Sequence, residues 1–254
     1  MLLYVTSFAQ DMYHATGKHL IDSYLNTKQI GKLLICNEGF DIDLEHPQLL
    51  FYRLDKSQLL SQWLTNNQQF IPEYLGGTAK EDKMPLVYTA PNRKTSRWFR
   101  KIVALYYAYQ TYGLEYSTIV WIDSDCLFKK QITMDKYITI FKKNVGVFYY
   151  LGKKRLHDGK GVESGFIGFH RDNNGYNLIR FVMEELYQKQ NYLKYIRWDD
   201  GYMFRIALSL NTSINTIDLA INSRLIDVIN DNNNYFTDYI IHNKGFHRIN
   251  NILV

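Results

Sequence analysis

Two carboxylates stand one residue apart at Asp123-Ser124-Asp125, directly after the apolar run Thr118-Ile-Val-Trp-Ile122. In an extended chain residues i and i+2 share a face, so both acids can point into one crevice. Like charges that close repel, and no basic residue adjoins them in sequence; a shared divalent cation is the usual remedy. The run before them reads as a strand buried on both sides, and open α/β sheets bind ligands at the carboxyl ends of their strands. The chemistry predicted is a metal held so as to bridge the phosphates of a nucleotide. Two solvent-facing loop aspartates are the competing reading of a bare D-x-D.

Three basic residues precede this pair. Arg97, Arg100 and Lys101 lie near the start of a predicted helix whose apolar face is Trp98, Ile102, Leu105 and Tyr109, and Gly113 ends it. Their spacing puts them on one broad face, where they can meet a diphosphate or simply solvate the helix. Lys101 borders the apolar face and is the best placed to be partly buried near a ligand. Downstream, two polar stretches interrupt apolar segments: Gly161-Val-Glu-Ser-Gly-Phe166 and Trp198-Asp-Asp-Gly201. The two glycines of the first let backbone approach a ligand closely, and Glu163 has the chemistry of a base. Asp199 or Asp200 can cap the helix that follows or serve a ligand. Trp198, Tyr149 and Tyr150 can stack on a sugar face or pack in the core and rim.

The elements that must position these groups alternate between strand and helix. Leu2–Val5 reads as a first strand leading into a polar loop at Thr6-Ser7, and Tyr13, Leu20, Ile21 and Tyr24 form a helical face with Asp11 as a possible cap. Leu33–Cys36 and Leu50–Tyr52 follow as strands, then Asp55-Lys-Ser-Gln58 resembles a capping box before the helix of Leu59, Leu60, Trp63 and Leu64. Pro72–Pro91 reads as a loop. Val145–Tyr149 and Phe166–Phe169 are strands, Ile179, Val182, Met183 and Leu186 a helix face, and a short helix begins near Gly201. The tail is rich in Asn and predicts short strands and loops. The pattern is α/β, a mostly parallel central sheet flanked by helices, with residues 1–254 as one domain.

Composition agrees with a folded chain: 254 residues, 46% hydrophobic, 22% charged, formal charge +5. Disorder and collagen-like sequence are excluded. Apart from Asn92–Lys101 the basic residues are scattered, so no nucleic-acid footprint is expected. Cys36 and Cys126 lie in or beside apolar runs without zinc spacing and read as reduced thiols. The first residues lack the basic lead and apolar length of a signal peptide, and no stretch approaches the roughly 20 apolar residues of a membrane span. A cytoplasmic location is the expectation.

Val120-Trp-Ile-Asp-Ser-Asp125 resembles the D-x-D signature of GT-A fold glycosyltransferases, Rossmann-like enzymes that use a metal-bound nucleotide sugar. The resemblance extends from the first strand with Thr6-Ser7, through the helix ahead of the D-x-D, to His242-Asn-Lys-Gly-Phe-His247. It is nearest to small glycosyltransferase domains of large DNA viruses and their bacterial relatives, and looser to the glycogenin and lipopolysaccharide-galactosyltransferase group. It implies Asp123, Asp125 and His242 as metal ligands, with His247 the alternative imidazole. It implies Thr6 and Ser7 at the base and ribose, and Asp123 and Ser124 at the nucleotide. A basic residue among Arg97, Arg100 and Lys101 would contact the diphosphate or the sugar. Glu163 and Asp200 would serve the sugar or acceptor. No Lys-Pro-Trp follows the late histidine; Lys244 lies inside the motif instead and is carried as a diphosphate contact. An imidazole added to carboxylates favours Mn²⁺, with Mg²⁺ the alternative.

The function this implies is transfer of a sugar from a nucleotide diphosphate, UDP foremost, to a hydroxyl of a glycan or glycoconjugate acceptor. An inverting enzyme would use Asp200 or Glu163 as base; a retaining one needs none. Two alternatives compete. One is a catalytically silent nucleotide- or carbohydrate-binding module of the same fold. The other is a D-x-D aspartyl phosphatase, disfavoured because Cys126-Leu127 follows Asp125 and because about half the chain precedes the motif.

Overall fold

The computed structural model describes residues 1–67, 94–195, 198–220, 229 and 235–243, with the side chains of 94–97 excepted. Its strands are β1 (Leu2–Ala9), β2 (Lys32–Glu38), β3 (Leu49–Arg53), β4 (Thr118–Ile122), β5 (Cys126–Phe128), β6 (Val147–Tyr150), β7 (Glu163–His170), β8 (Thr216–Asp218) and β9 (Ile240–His242). The α-helices are α1 (Gln10–Met12), α2 (Lys18–Asn26), α3 (Gln58–Asn66), α4 (Lys94–Tyr112), α5 (Met134–Phe141), α6 (Gly152–His157), α7 (Gly175–Phe181) and α8 (Asp200–Leu210). Seven strands form one sheet in the order β3-β2-β1-β4-β7-β6-β8, and β5 pairs with β9 in a small second one. The first four strands run parallel, β7 alone is reversed, and β6 and β8 run parallel to each other.

Both faces of the large sheet are covered, which is why β4 is apolar at every position. Ile119 and Trp121 pack toward α3, α4, α7 and α8, whereas Val120 and Ile122 pack toward α2 and α5. Helix α4 carries much of the first layer through Phe99, Ile102, Val103, Leu105 and Tyr106. Stacked rings tie it to its neighbours: Trp63 lies on Phe99 at 4.2 Å and Tyr52 on Tyr107 at 3.5 Å between centroids. Pairs of this kind add about 0.5–1.5 kcal/mol beyond the area they bury.

Several local expectations are corrected. Strand β1 does not end at Val5 but runs on to Ala9, because β2 offers it a parallel partner as far as Glu38. Thr6 and Ser7 are therefore strand residues on opposite faces rather than a loop. Asp11 does not cap; Ala9 holds the cap position, and the Asp11 carboxylate accepts from the Met12 amide beside it. The chain then passes through a π-helical turn, Tyr13–Gly17, before α2. The box predicted at Asp55–Gln58 is not formed either. Ser57 caps α3, its Oγ accepting from the Leu60 amide at 3.4 Å, while Asp55 pairs with Arg53 at 2.8 Å. An arginine two residues away outcompetes the helix end for that carboxylate. The loop predicted at Pro72–Pro91 lies outside the described residues.

Candidate active site at the carboxyl end of the central strand

Strand β4 delivers Asp123 to the rim, on the face that Trp121 shares with α4. The Asp123 amide donates to the Gly165 carbonyl at 2.8 Å, extending the β4–β7 ladder by one bond. Its Oδ1 accepts from Trp121 Nε1 at 2.6 Å and from Lys101 Nζ at 2.9 Å. Lys101 also donates to Asp200 Oδ2 at 2.5 Å and lies 3.1 Å from both Ser164 O and Ser164 Oγ. Ser164 Oγ in turn donates to Asp200 Oδ2 at 2.8 Å. Thus the repulsion expected around Asp123 is answered by an ammonium from the preceding helix. No basic neighbour was visible in sequence because helix-to-strand packing, not adjacency, supplies it.

The charges follow from that enclosure. Burial alone would lower the Lys101 pKa, but the facing carboxylates of Asp123 and Asp200 outweigh it and hold it well above the usual lysine value. Burial would raise Asp123, yet Lys101, His242 and the bonds from Lys101 and Trp121 keep it below the ordinary carboxylate value. Lys101 and Asp123 are thus held as an ion pair, with Asp200 against the same ammonium.

Asp125 is engaged by the tail. Cys126 in β5 lies opposite His242 in β9, and the Asn243 amide donates to the Asp125 carbonyl at 2.9 Å. This ladder sets His242, only 2% exposed, with Nε2 3.2 Å from Asp125 Oδ1. Gly165 makes room for the ring. A methyl on it would stand 2.9 Å from His242 Cε1, 3.1 Å from His242 Nε2 and 3.3 Å from Asp123 Oδ2. So Asp123 Oδ2 and His242 Nε2 converge over one glycine, while Asp123 Oδ1 is occupied with Lys101 and Trp121.

This donor set fits a divalent ion. Two ligands of one ion at ordinary bond lengths stand about 3 Å apart, close to the observed Asp125–His242 separation. One ligand atom each from Asp125, Cys126 and His242 lies within 4.8 Å of the others. Cys126 was read from sequence as a core thiol, and it is fully buried among apolar residues. Its place next to Asp125 is the only sequence signal that it adjoins the cluster.

The acidic stretch before α8 divides its labour. Asp199 caps the helix, its Oδ1 accepting from the Tyr202 amide at 3.0 Å, which leaves Asp200 facing Lys101. Gly161 and Gly201 allow the start of β7 to lie against this helix: a Cβ on Gly161 would fall 2.1 Å from the Gly201 carbonyl carbon. The Val162 amide donates to the Gly201 carbonyl across that contact at 3.0 Å. Glu163, 5% exposed, takes Arg155 at 3.1 Å and the Gly165 amide at 3.3 Å, so it braces the strand carrying Gly165.

The remaining candidates are placed as follows. Arg100 pairs with Glu38 at the end of β2 at 2.6 Å, away from Asp123's own ion pair. Ser124 Oγ accepts from Thr16 at 3.1 Å, a partner that sequence reasoning missed. Thr6 is fully buried and its hydroxyl has no partner among the described residues; Ser7 is half-buried on the other face of β1. Tyr150 is core, and Trp198 donates to the Tyr195 carbonyl at 3.0 Å on the rim. The Arg97 side chain, Lys244, Gly245 and His247 lie outside the described residues. Trp121 and Ser164 complete the cluster and were given no role from sequence, since each acts only through a neighbour brought in by the fold; Gly165, expected to let backbone approach a ligand, makes room for the His242 ring.

No family model matches this chain, and no curated protein does. Among solved structures it is similar to mouse xyloside xylosyltransferase 1 in its apo form, with a TM-score of 0.50 at 12% sequence identity, covering 86% of this chain and 85% of that one. The chain has a glycosyltransferase fold. At that identity the likeness concerns architecture, and it meets the expectation of a helix-flanked GT-A-like sheet. Among the described residues no helix is long and apolar enough to cross a membrane.

Proposed function

We propose that this chain is a metal-dependent glycosyltransferase, acting as one domain, that moves a sugar from a nucleotide diphosphate, UDP foremost, to a hydroxyl of a glycan or glycoconjugate. The observation that carries the reading is His242, which stands 3.2 Å from Asp125 and shares the space over Gly165 with Asp123 Oδ2, at the carboxyl rim of a glycosyltransferase fold. Asp125 and His242, with Asp123 Oδ2, would hold Mn²⁺ (Mg²⁺ the alternative). Such an ion neutralises charge on a departing diphosphate.

The chain's own residues define the rest. Lys101 already has four acceptors around its ammonium, so it orients Asp123 and Asp200 rather than reaching out to a phosphate. Asp200, held by a buried ammonium and a serine hydroxyl, is fixed in place and suits binding of sugar hydroxyls. Glu163 is engaged with Arg155 and a backbone amide. Because both acids are engaged by neighbouring groups, the reading favours a retaining reaction, in which the departing diphosphate would itself take the acceptor proton.

Thermal-shift measurement with nucleotides and nucleotide sugars tests this. UDP with Mn²⁺ is expected to raise the melting temperature selectively, and Asp125→Ala to abolish the rise. Equal shifts in that variant, or none in the native protein with any nucleotide, would overturn the assignment.

A further inference from the structure

Helix α6 stands on the same rim as Asp123. Strand β6 runs parallel to β4 across the reversed β7, and Tyr150 at its end faces Glu163. Six residues are far too few for an independent helix, so this one is pinned from outside. At its start the Asp218 carboxylate accepts from the Leu151 and Gly152 amides, both at 2.9 Å, and Gly152 takes a left-handed φ of 70°. From within, Arg155 turns inward to the carbonyls of Gly161 and Val162, at 3.0 and 3.2 Å, and to Glu163. Beyond it, Arg205 donates to the Lys160 carbonyl at 2.7 Å.

With Arg155 inward, helical geometry puts Lys153 and His157 on the outward side, with Lys154 and Leu156 on the flanks. All four are exposed, Leu156 by 51%. Glu163 answers the charge of Arg155, and Asp158 lies near His157 and Lys160. Lys153 and Lys154 make no ion pair among the described residues. A rigid basic ledge with a bared leucine therefore borders the candidate site.

A soluble anion would use the lysines and gain nothing from the leucine. An anionic bilayer surface uses both, phosphate for the ammonium groups and the headgroup–acyl boundary for the aliphatic side chain. We propose that α6 docks the protein on an anionic membrane surface and so turns the rim carrying Asp123, Asp125 and His242 toward the bilayer. This contact requires no sugar transfer, and its test contains no nucleotide, so it stands or falls apart from the function proposed above.

Co-sedimentation with phosphatidylcholine vesicles, pure or with about a third phosphatidylglycerol, reads the contact. The fold supplies a matched control. Lys142 and Lys143 are an exposed pair just before β6, at the end of that strand opposite to α6. K153E/K154E and K142E/K143E change the net charge equally. The native protein should sediment with the anionic vesicles and not with the neutral ones. K153E/K154E should lose at least about tenfold in partitioning, K142E/K143E less than about twofold, and Leu156→Ala several-fold without any change in charge. Equal losses in the two lysine pairs would show diffuse attraction and overturn the proposal, as would native protein that ignores anionic vesicles. Circular dichroism of each variant confirms that the fold persists, since all the altered side chains are exposed.

Discussion

Lys101 and Asp200 meet at 2.5 Å in a setting where both side chains are less than a tenth exposed. Helix α4 and the first turn of α8 are thereby joined at the rim by one ion pair, with Asp123 as its third member. Removing one partner of such a cluster leaves a buried charge without compensation, which is costlier than never having had the pair.

Lys101→Met should therefore destabilise the protein by about 3–5 kcal/mol, read by urea denaturation. Adding Asp200→Asn in the same chain should recover part of that loss, because only Asp123 then lacks its counter-charge. If the two changes simply add, the cluster is not coupled as the distances imply.

Gly165→Ala separates fold from site. Its methyl would crowd the His242 ring and the free oxygen of Asp123, so the fold should survive at a cost of about 1–3 kcal/mol. Mn²⁺-dependent UDP stabilisation should fall at least tenfold in apparent affinity, a loss on the order of 1.4 kcal/mol. Retention of full affinity would place the metal elsewhere.

His170 gives the acid limb of stability a local origin. Burial lowers its pKa, Arg171 adding to the effect and Asp172 opposing it, and the ring lies 4.1 Å from Phe141. The folded state thus binds its proton less readily than the unfolded chain. The stabilising contribution is complete above the unfolded value of about 6.5 and declines as pH falls toward the lower folded value. In His170→Phe the slope of unfolding free energy across that interval should flatten; an unchanged slope would assign it to other groups.

Asp218→Ala removes the acceptor for three backbone amides, those of Leu151, Gly152 and Ala220. A loss of about 1–3 kcal/mol is expected. Hydrogen exchange should quicken first at Leu151 and Gly152, before any change at β4. Uniform acceleration would mean that the turn is not an independent brace for α6.

What the sequence made legible was whatever declares itself along one segment. The Thr118–Ile122 run announces a doubly covered strand, and the acids after it announce a rim. Asp199 and Asp200 illustrate the boundary of such reading. Either could cap the helix by type, and only the approach of Lys101 decides which one turns inward. Thr6 and Ser7 were misplaced because the length of β1 depends on β2 as its neighbour, not on its own residues. Asp55 was assigned to a helix end that Ser57 holds, since Arg53 claims the carboxylate first. Gly165 carries no side chain to read, and its importance is the space it leaves for a histidine from the far end of the chain.

The pairing of β5 with β9 has a consequence for biosynthesis. Asp123 and Asp125 leave the ribosome long before His242, so the large sheet can collapse around its acids while the imidazole is still being polymerised. A chain ended between β8 and β9 would hold all seven strands of the large sheet but lack His242, and with it core residues such as Ile240. The last residues to be made therefore supply both the imidazole and part of the packing beneath it.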